Sequence, residues 1–134
     1  MVIHRFKSNY FEHGHGFKLE YESTEITQWS YGSGVCGGNF TTLNGLITSP
    51  SFPNKYPINS DCRYIISQPN GAVINIIFSK LDTEYVEYDF GCSYDYLEIR
   101  DGNSPTSPML GRFCGNRNEI PAPIQSSQNV LYIR

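Results

Sequence analysis

Four cysteines, at positions 36, 62, 92 and 114, constrain this chain more than any other feature. No two of them form a C-x-x-C pair, and all three histidines lie upstream of the first cysteine, so neither a zinc finger nor a thioredoxin-like motif has support. Spacings of 26 and 22 residues within the sequential pairs suit two long-loop disulfides. In the chain-entropy picture each such loop constrains the unfolded state by about 3 kcal/mol. Four cysteines permit three connectivities, and spacing alone chooses none of them. Disulfides belong to oxidising compartments, so the chain is expected to be extracellular. The single glycosylation sequon, Asn39-Phe40-Thr41, points the same way.

At 134 residues the chain is long enough for one domain with a real core and too short for two complete ones. A net charge of −3 and a pI near 5.5 leave no broad basic surface, which argues against nucleic acid as a partner. Aromatic residues make up 14% and charged residues 17%, a balance that excludes a disordered tail and is poor in charge for a helical bundle. No apolar run approaches the roughly 18 residues a membrane span needs. The opening MVIHRFKSNYFEHGHG also lacks the apolar stretch of a signal peptide. An extracellular chain of this kind is therefore expected to derive from a longer precursor.

Periodicity predicts strands. "CRYIIS" (62–67), "AVINIIF" (72–78), "YDYLEIR" (94–100) and "VLYIR" (130–134) are short, β-branched or aromatic, and bounded by Pro, Gly and Asn clusters. "SPSFPNKYP" (49–57) carries three prolines in nine residues and reads as an extended surface loop. "DGNSPTSP" (101–108) and "NRNEIPAP" (116–123) read as turns or loops. Nothing long has a helical period. The expected fold is all-β, an antiparallel β-sandwich.

Asp95 is out of place in such a strand, because its short polar side chain competes for backbone hydrogen bonds. Alternation puts Asp95, Leu97 and Ile99 on one face and Tyr96, Glu98 and Arg100 on the other. Leu97 and Ile99 mark the core side, so a carboxylate at 95 must lie at the open end of the sandwich or find a partner that offsets its desolvation. Asp82, Glu84, Glu87 and Asp89 are the nearby acids. Two readings stay open on the residues alone: a solvated acidic loop, or carboxylates joined by a hard cation such as calcium.

A resemblance bears on that choice. "CGGNFTTLNGLITSPSFPNKYP", "CRYII", "FSKLDTE", "CSYDYLEIRDG", "LGRFCG" and "PAPIQSSQNVLYIR" occur in order over residues 36–134 and together resemble a CUB domain. The resemblance implies a jelly-roll-like sandwich of two antiparallel sheets, extracellular placement, and disulfides Cys36–Cys62 and Cys92–Cys114. The head, residues 1–21, resembles the closing strands of a preceding CUB repeat, and residues 22–35 read as a linker. Residues 36–134 would then be a CUB domain lacking its last strand. Direct repeat-to-repeat joining is most like multi-CUB endocytic receptors; the alternative is an exosite or assembly domain of a complement-type or tolloid-type protease.

Many CUB domains hold calcium through a Glu, two Asp and a supporting Tyr. Residue by residue, the resemblance implies Glu84 and Asp95 as metal ligands and Tyr56 as the residue that orients the glutamate. The second aspartate falls beyond Arg134, and its counterpart in the head is Asn9, so calcium is expected to bind weakly or not at all. The eleven-residue step from Glu84 to Asp95 is also longer than the family pattern. By the same resemblance the partner is a protein ligand presenting Lys or Arg, alongside neighbouring CUB repeats, with no catalytic activity.

Two arrangements are open for the head. Residues 6–21 either pack onto the sandwich as substitute strands, bringing Asn9 to Glu84 and Asp95, or they are a disordered remnant. Three smaller features carry less. His13 and His15 of "HGH" lack a third metal ligand, Ser126-Ser127 has no neighbouring His or acid and no nucleophile elbow, and Trp29 reads as a packing residue between repeats. A sandwich of this size without an evident cleft also argues against a glycosidase built on its acids.

Overall fold

The structure is a computed structural model that describes residues 6–10, 14–22, 29–32, 35–84, 91–115 and 120–134, with side chains excepted at 22 and 29–32. Among them all regular structure is strand, and no helix is long and apolar enough to cross a membrane. The first sheet contains β1 (Phe6–Lys7), β4 (Gly38–Phe40), β6 (Asp61–Cys62), β7 (Tyr64–Ser67), β9 (Tyr96–Asp101), β10 (Met109–Phe113) and β12 (Val130–Ile133). The second runs in the order β11 (Ile124–Gln125), β8 (Asn75–Asp82), β2 (Gly16–Glu22), β5 (Asn44–Thr48) and β3 (Trp29–Gly32). Pairing is antiparallel except for β4 with β7 and β3 with β5. The expected jelly-roll-like sandwich is the fold.

The head of the chain is part of it. β12 pairs with β9 through Ile133 opposite Ile99, and the Arg134 and Glu98 backbones exchange both hydrogen bonds. The next rung of β9 is Leu97, and its partner is Phe6. On the other flank Ile133 faces Tyr64 and Phe6 faces Cys62, with Arg63 between them. β12 and β1 therefore form one row of the sheet in unbroken register, begun by the tail and finished by the head. The chain then crosses to the second sheet, where β2 lies between β8 and β5. Of the two arrangements, the structure has the packed one for the strands Phe6–Lys7 and Gly16–Glu22. The stretch read as a linker also contributes: Trp29–Gly32 extends the second sheet as β3.

Alternation builds the core. Phe40, Tyr64, Ile66, Leu131, Ile133, Phe6, Leu97 and Ile99 come from one sheet, and Phe17, Leu19, Tyr21, Ile47, Ile76 and Phe78 from the other. Phe6 packs edge-on against Phe17 and Tyr56, with ring centroids 5.3 and 4.5 Å apart. A bulge between Lys18 and Leu19 shifts the register against β8, so that Phe78 and Leu81 both face inward although three residues apart. Both disulfides are present, Cys36–Cys62 and Cys92–Cys114, with Cα atoms 4.8 and 5.6 Å apart.

Two strands start later than the pattern. β8 starts at Asn75 rather than Ala72, because Ala72 closes a turn onto Pro69 and the Ile74 N–H donates to the Ser126 hydroxyl. β9 starts at Tyr96 rather than Tyr94, because the Asp95 carboxylate takes the N–H of Asn9. On the outer face Glu98 is buried beneath two cations: Arg100 Nε donates to it at 2.7 Å and Arg112 Nε at 2.9 Å, with the Arg112 guanidinium 4.1 Å above the Tyr96 ring. Burial pushes the Glu98 carboxyl up, but the hydrogen bonds and charges of Arg100 and Arg112 outweigh it and hold the pKa below the ordinary glutamate value.

Candidate functional site: an acidic pair at one end of the sandwich

β8, β1 and the loop before β9 meet at one end of the sandwich, and each delivers a polar side chain there. Past the end of β8, Thr83 exchanges hydrogen bonds with Gly115, its N–H donating to the carbonyl at 3.2 Å and its hydroxyl accepting the N–H at 2.7 Å. Glu84 follows, 8% exposed. Asp95 is 1% exposed and lies on the core side, as alternation requires. Its company explains how a carboxylate is held there. Tyr56 donates its hydroxyl to Asp95 Oδ2 at 2.6 Å, and the Asn9 N–H donates to Oδ1 at 2.7 Å.

Asn9 links the two acids, since its side-chain Nδ2 donates to Glu84 Oε2 at 2.6 Å. It is fixed in turn by the carbonyl that accepts the Asn59 N–H at 3.3 Å, and by Ser8. The Ser8 hydroxyl donates to Pro57 and accepts the Ser60 N–H, both at 2.9 Å. The resemblance assigned Tyr56 to the glutamate; its hydroxyl reaches Glu84 by accepting the backbone N–H at 3.1 Å, while its proton goes to Asp95. Burial, then the hydrogen bond to Asp95, pushes the Tyr56 phenol far above its ordinary range, so Tyr56 is a neutral donor.

The start of β2 closes the floor of this end. Gly16 has φ +85°, and a Cβ there would lie 1.8 Å from Ser49 Oγ. That hydroxyl accepts the Phe17 N–H at 3.0 Å. Beside it, His15 Nδ1 stands 2.7 Å from Asp82 Oδ2, and the His15 N–H donates to the same oxygen at 3.1 Å. His13, Glu87 and Asp89 lie outside the described residues, as does the Trp29 side chain. The Ser126 hydroxyl accepts the Ile74 N–H and donates to the Gln128 carbonyl at 2.6 Å. Asn39 is exposed on β4, which among the described residues is an edge strand paired with β7.

Sequence reasoning missed the rim. Tyr10, Tyr94 and Ile58 are 68%, 46% and 42% exposed. Each adjoins a residue of the acid cluster: Tyr10 follows Asn9, Tyr94 precedes Asp95, and Ile58 precedes Asn59. Tyr94 and Asp95 are adjacent in the sequence, but only folding brings Tyr10 and Ile58 beside them.

Glu84 and Asp95 present carboxylate oxygens only, a pair that suits a hard cation. The fit is incomplete. Among the described residues no three His, Cys, Asp or Glu side chains converge to hold a metal. The third place belongs to Asn9, whose N–H groups rather than its oxygen face the two carboxylates.

A disulfide-stapled sandwich of two sheets, with buried acids and exposed aromatics at one end, has the form of a binding domain. Residues 36–134 match the profile of the CUB domain, and the chain belongs to the CUB domain family. It is 38% identical to human neuropilin-2 over 135 residues, covering 98% of this chain and 14% of that protein. Bone morphogenetic protein 1 of Xenopus laevis is 39% identical over 121 residues, covering 90% of this chain and 15% of that protein. Cubilin of Canis lupus familiaris is 35% identical over 125 residues, covering 90% of this chain and 3% of that protein. The chain thus spans no more than 15% of the length of these relatives.

Proposed function

We propose that this chain is a non-catalytic protein-binding module of a larger extracellular protein of the multi-CUB receptor kind, and that it captures a Lys or Arg of a protein ligand at the Glu84–Asp95 end. The observation that carries this reading is a buried carboxylate pair joined by Asn9 at one end of the sandwich, with exposed Tyr10, Tyr94 and Ile58 next in sequence to Asn9, Asp95 and Asn59. An ammonium or guanidinium placed there donates charge-assisted hydrogen bonds to the Glu84 and Asp95 carboxylates. The aromatic and apolar rim packs against the aliphatic stem of the same side chain and keeps water from the ion pair. Tyr56 and Asn9 hold the acids so that little ordering remains when the ligand arrives.

Calcium support, expected from the family pattern, is weak in this chain. With the Asn9 amide turned, Oδ1 would join Glu84 and Asp95 as ligands, and the ion would supply fixed positive charge that holds both acids. Two carboxylates and an amide offer less charge than the three carboxylates of the family pattern. The disulfides and the exposed Asn39 sequon support secretion with an N-linked glycan on β4. Neighbouring CUB repeats are the expected flanks.

Titration of the isotope-labelled chain with N-acetyl-lysine amide, followed by amide NMR, tests the capture site. Shifts centred on Asn9, Glu84 and Asp95, absent with the norleucine analogue and lost in Asp95→Asn, are expected. Equal shifts with norleucine, or shifts confined to another face, would refute the assignment.

A further inference from the structure

The family pattern puts a cation between the acids at this end of the fold; this chain puts Asn9 there. We infer that Asn9 does the cation's structural work, latching Glu84 to Asp95 through hydrogen bonds so that the acidic end keeps its arrangement without metal. Two nearly buried carboxylates brought to one residue repel each other and lose hydration, a cost that a bound cation or well-placed donors must offset. Asn9 places one donor on each acid, its backbone N–H 2.7 Å from Asp95 Oδ1 and its Nδ2 2.6 Å from Glu84 Oε2. Both are short, as hydrogen bonds to an ionised acceptor are. The orientation of the amide follows from the network, because an Asn9 oxygen turned to Glu84 would set acceptor against acceptor.

The latch is also anchored. Phe6 fixes the register of β1 against Leu97, the Ser8 N–H donates to the Ser60 carbonyl at 3.0 Å, and the Asn59 N–H holds the Asn9 carbonyl. Asn9 therefore reaches the acids two residues past a paired strand, on a backbone hydrogen-bonded to Ser60 and Asn59. Aspartate is nearly the same shape as asparagine but has no N–H to offer Glu84. At position 9 it would make a third carboxylate and restore the need for a cation. The choice between amide and acid at this one position thus decides whether the end of the sandwich depends on metal. This inference stands on the geometry of Asn9 and is independent of which ligand the module captures.

Thermal melting of the full chain, followed by near-ultraviolet circular dichroism in EDTA and in millimolar calcium, tests it. The unmodified chain should melt at the same temperature in both. Asn9→Asp should melt lower in EDTA by roughly 5 °C or more and recover with calcium, since it takes the Nδ2 donor from Glu84 and sets a third negative charge beside two carboxylates until the ion arrives. Terbium luminescence sensitised by nearby tyrosines should appear at lower ion concentration in Asn9→Asp than in the parent. Asn9→Ala should melt low in both buffers, because it lacks both the donor and the third carboxylate. If Asn9→Asp fails to fold even with calcium, the Asn9→Ala comparison decides. A parent chain that calcium stabilises as much as it does Asn9→Asp, or an Asn9→Ala chain that melts like the parent, would overturn the inference.

Discussion

Phe6 continues the strand that Arg134 ends: Arg134 lies opposite Glu98, and Phe6 lies opposite Leu97, the next rung of β9. The same step repeats on the other flank, where Phe6 faces Cys62. The head of the chain is thereby an interior part of the sandwich, and it carries Asn9 to the acids. Phe6→Ala is expected to destabilise the fold by about 3–5 kcal/mol, the usual cost of emptying a buried phenylalanine site. Deleting residues 1–21 removes Phe6, Phe17, Leu19 and Tyr21 from the core and should abolish cooperative unfolding. Denaturant titration of the three proteins checks both, and an unchanged midpoint after the deletion is the outcome against them.

Gly16 and Gly71 make a controlled pair. Both have positive φ, +85° and +88°, but a Cβ at Gly16 would meet Ser49 Oγ at 1.8 Å while one at Gly71 meets nothing within 4 Å. Gly71→Ala should cost about 1 kcal/mol in backbone strain alone. Gly16→Ala should cost more, because the Ser49 hydroxyl must also release the Phe17 N–H. Equal costs in chemical denaturation would show that the Ser49 contact does not matter.

The Glu98 cluster sets an acid limit on stability. Its carboxyl is held below the ordinary value of 4.5 in the fold, so the unfolded chain takes up the proton first as pH falls. The stability it contributes is complete above that value, declines as pH drops below it, and is gone once pH passes the lowered folded value. Glu98→Gln should flatten the loss of stability across the interval that begins at the ordinary value of 4.5 and runs downward. Melting curves across that interval check the slope; identical pH profiles would assign the acid sensitivity elsewhere.

Peptide mapping of secreted, unreduced protein should find Cys36 joined to Cys62 and Cys92 joined to Cys114. Replacing both members of one bridge with alanine should cost roughly 2–4 kcal/mol. A Cys62–Cys92 bridge or free thiols in the folded material would be incompatible with the pairing in the structure.

Alternation made β7, β9 and β12 legible, and with them the core-side position of Asp95. β5, "NGLIT", and β10, "MLGRF", escaped because glycine interrupts their short apolar pattern. With β10 unread, Arg112 could not be placed over Glu98. Local pattern alone cannot join distant segments: the disulfide pairing and the roles of Glu84, Asp95 and Tyr56 came from the family resemblance, and the rim of Tyr10, Tyr94 and Ile58 came only from the fold. Residues 22–35 read as a linker because they lie between two stretches that resemble CUB sequence, yet Trp29–Gly32 finds an open edge beside β5 and pairs there.

Isotope-filtered NMR tests most directly whether the head closes the sandwich and delivers Asn9 to the acids. In a mixture of labelled and unlabelled chains, cross-peaks from the Phe6 ring to the Tyr56 ring and from Phe6 to Leu97 should arise within single molecules, with slow hydrogen exchange across β1 and β2. Absence of those cross-peaks, with rapid exchange through residues 6–22, would show that the head lies outside the fold.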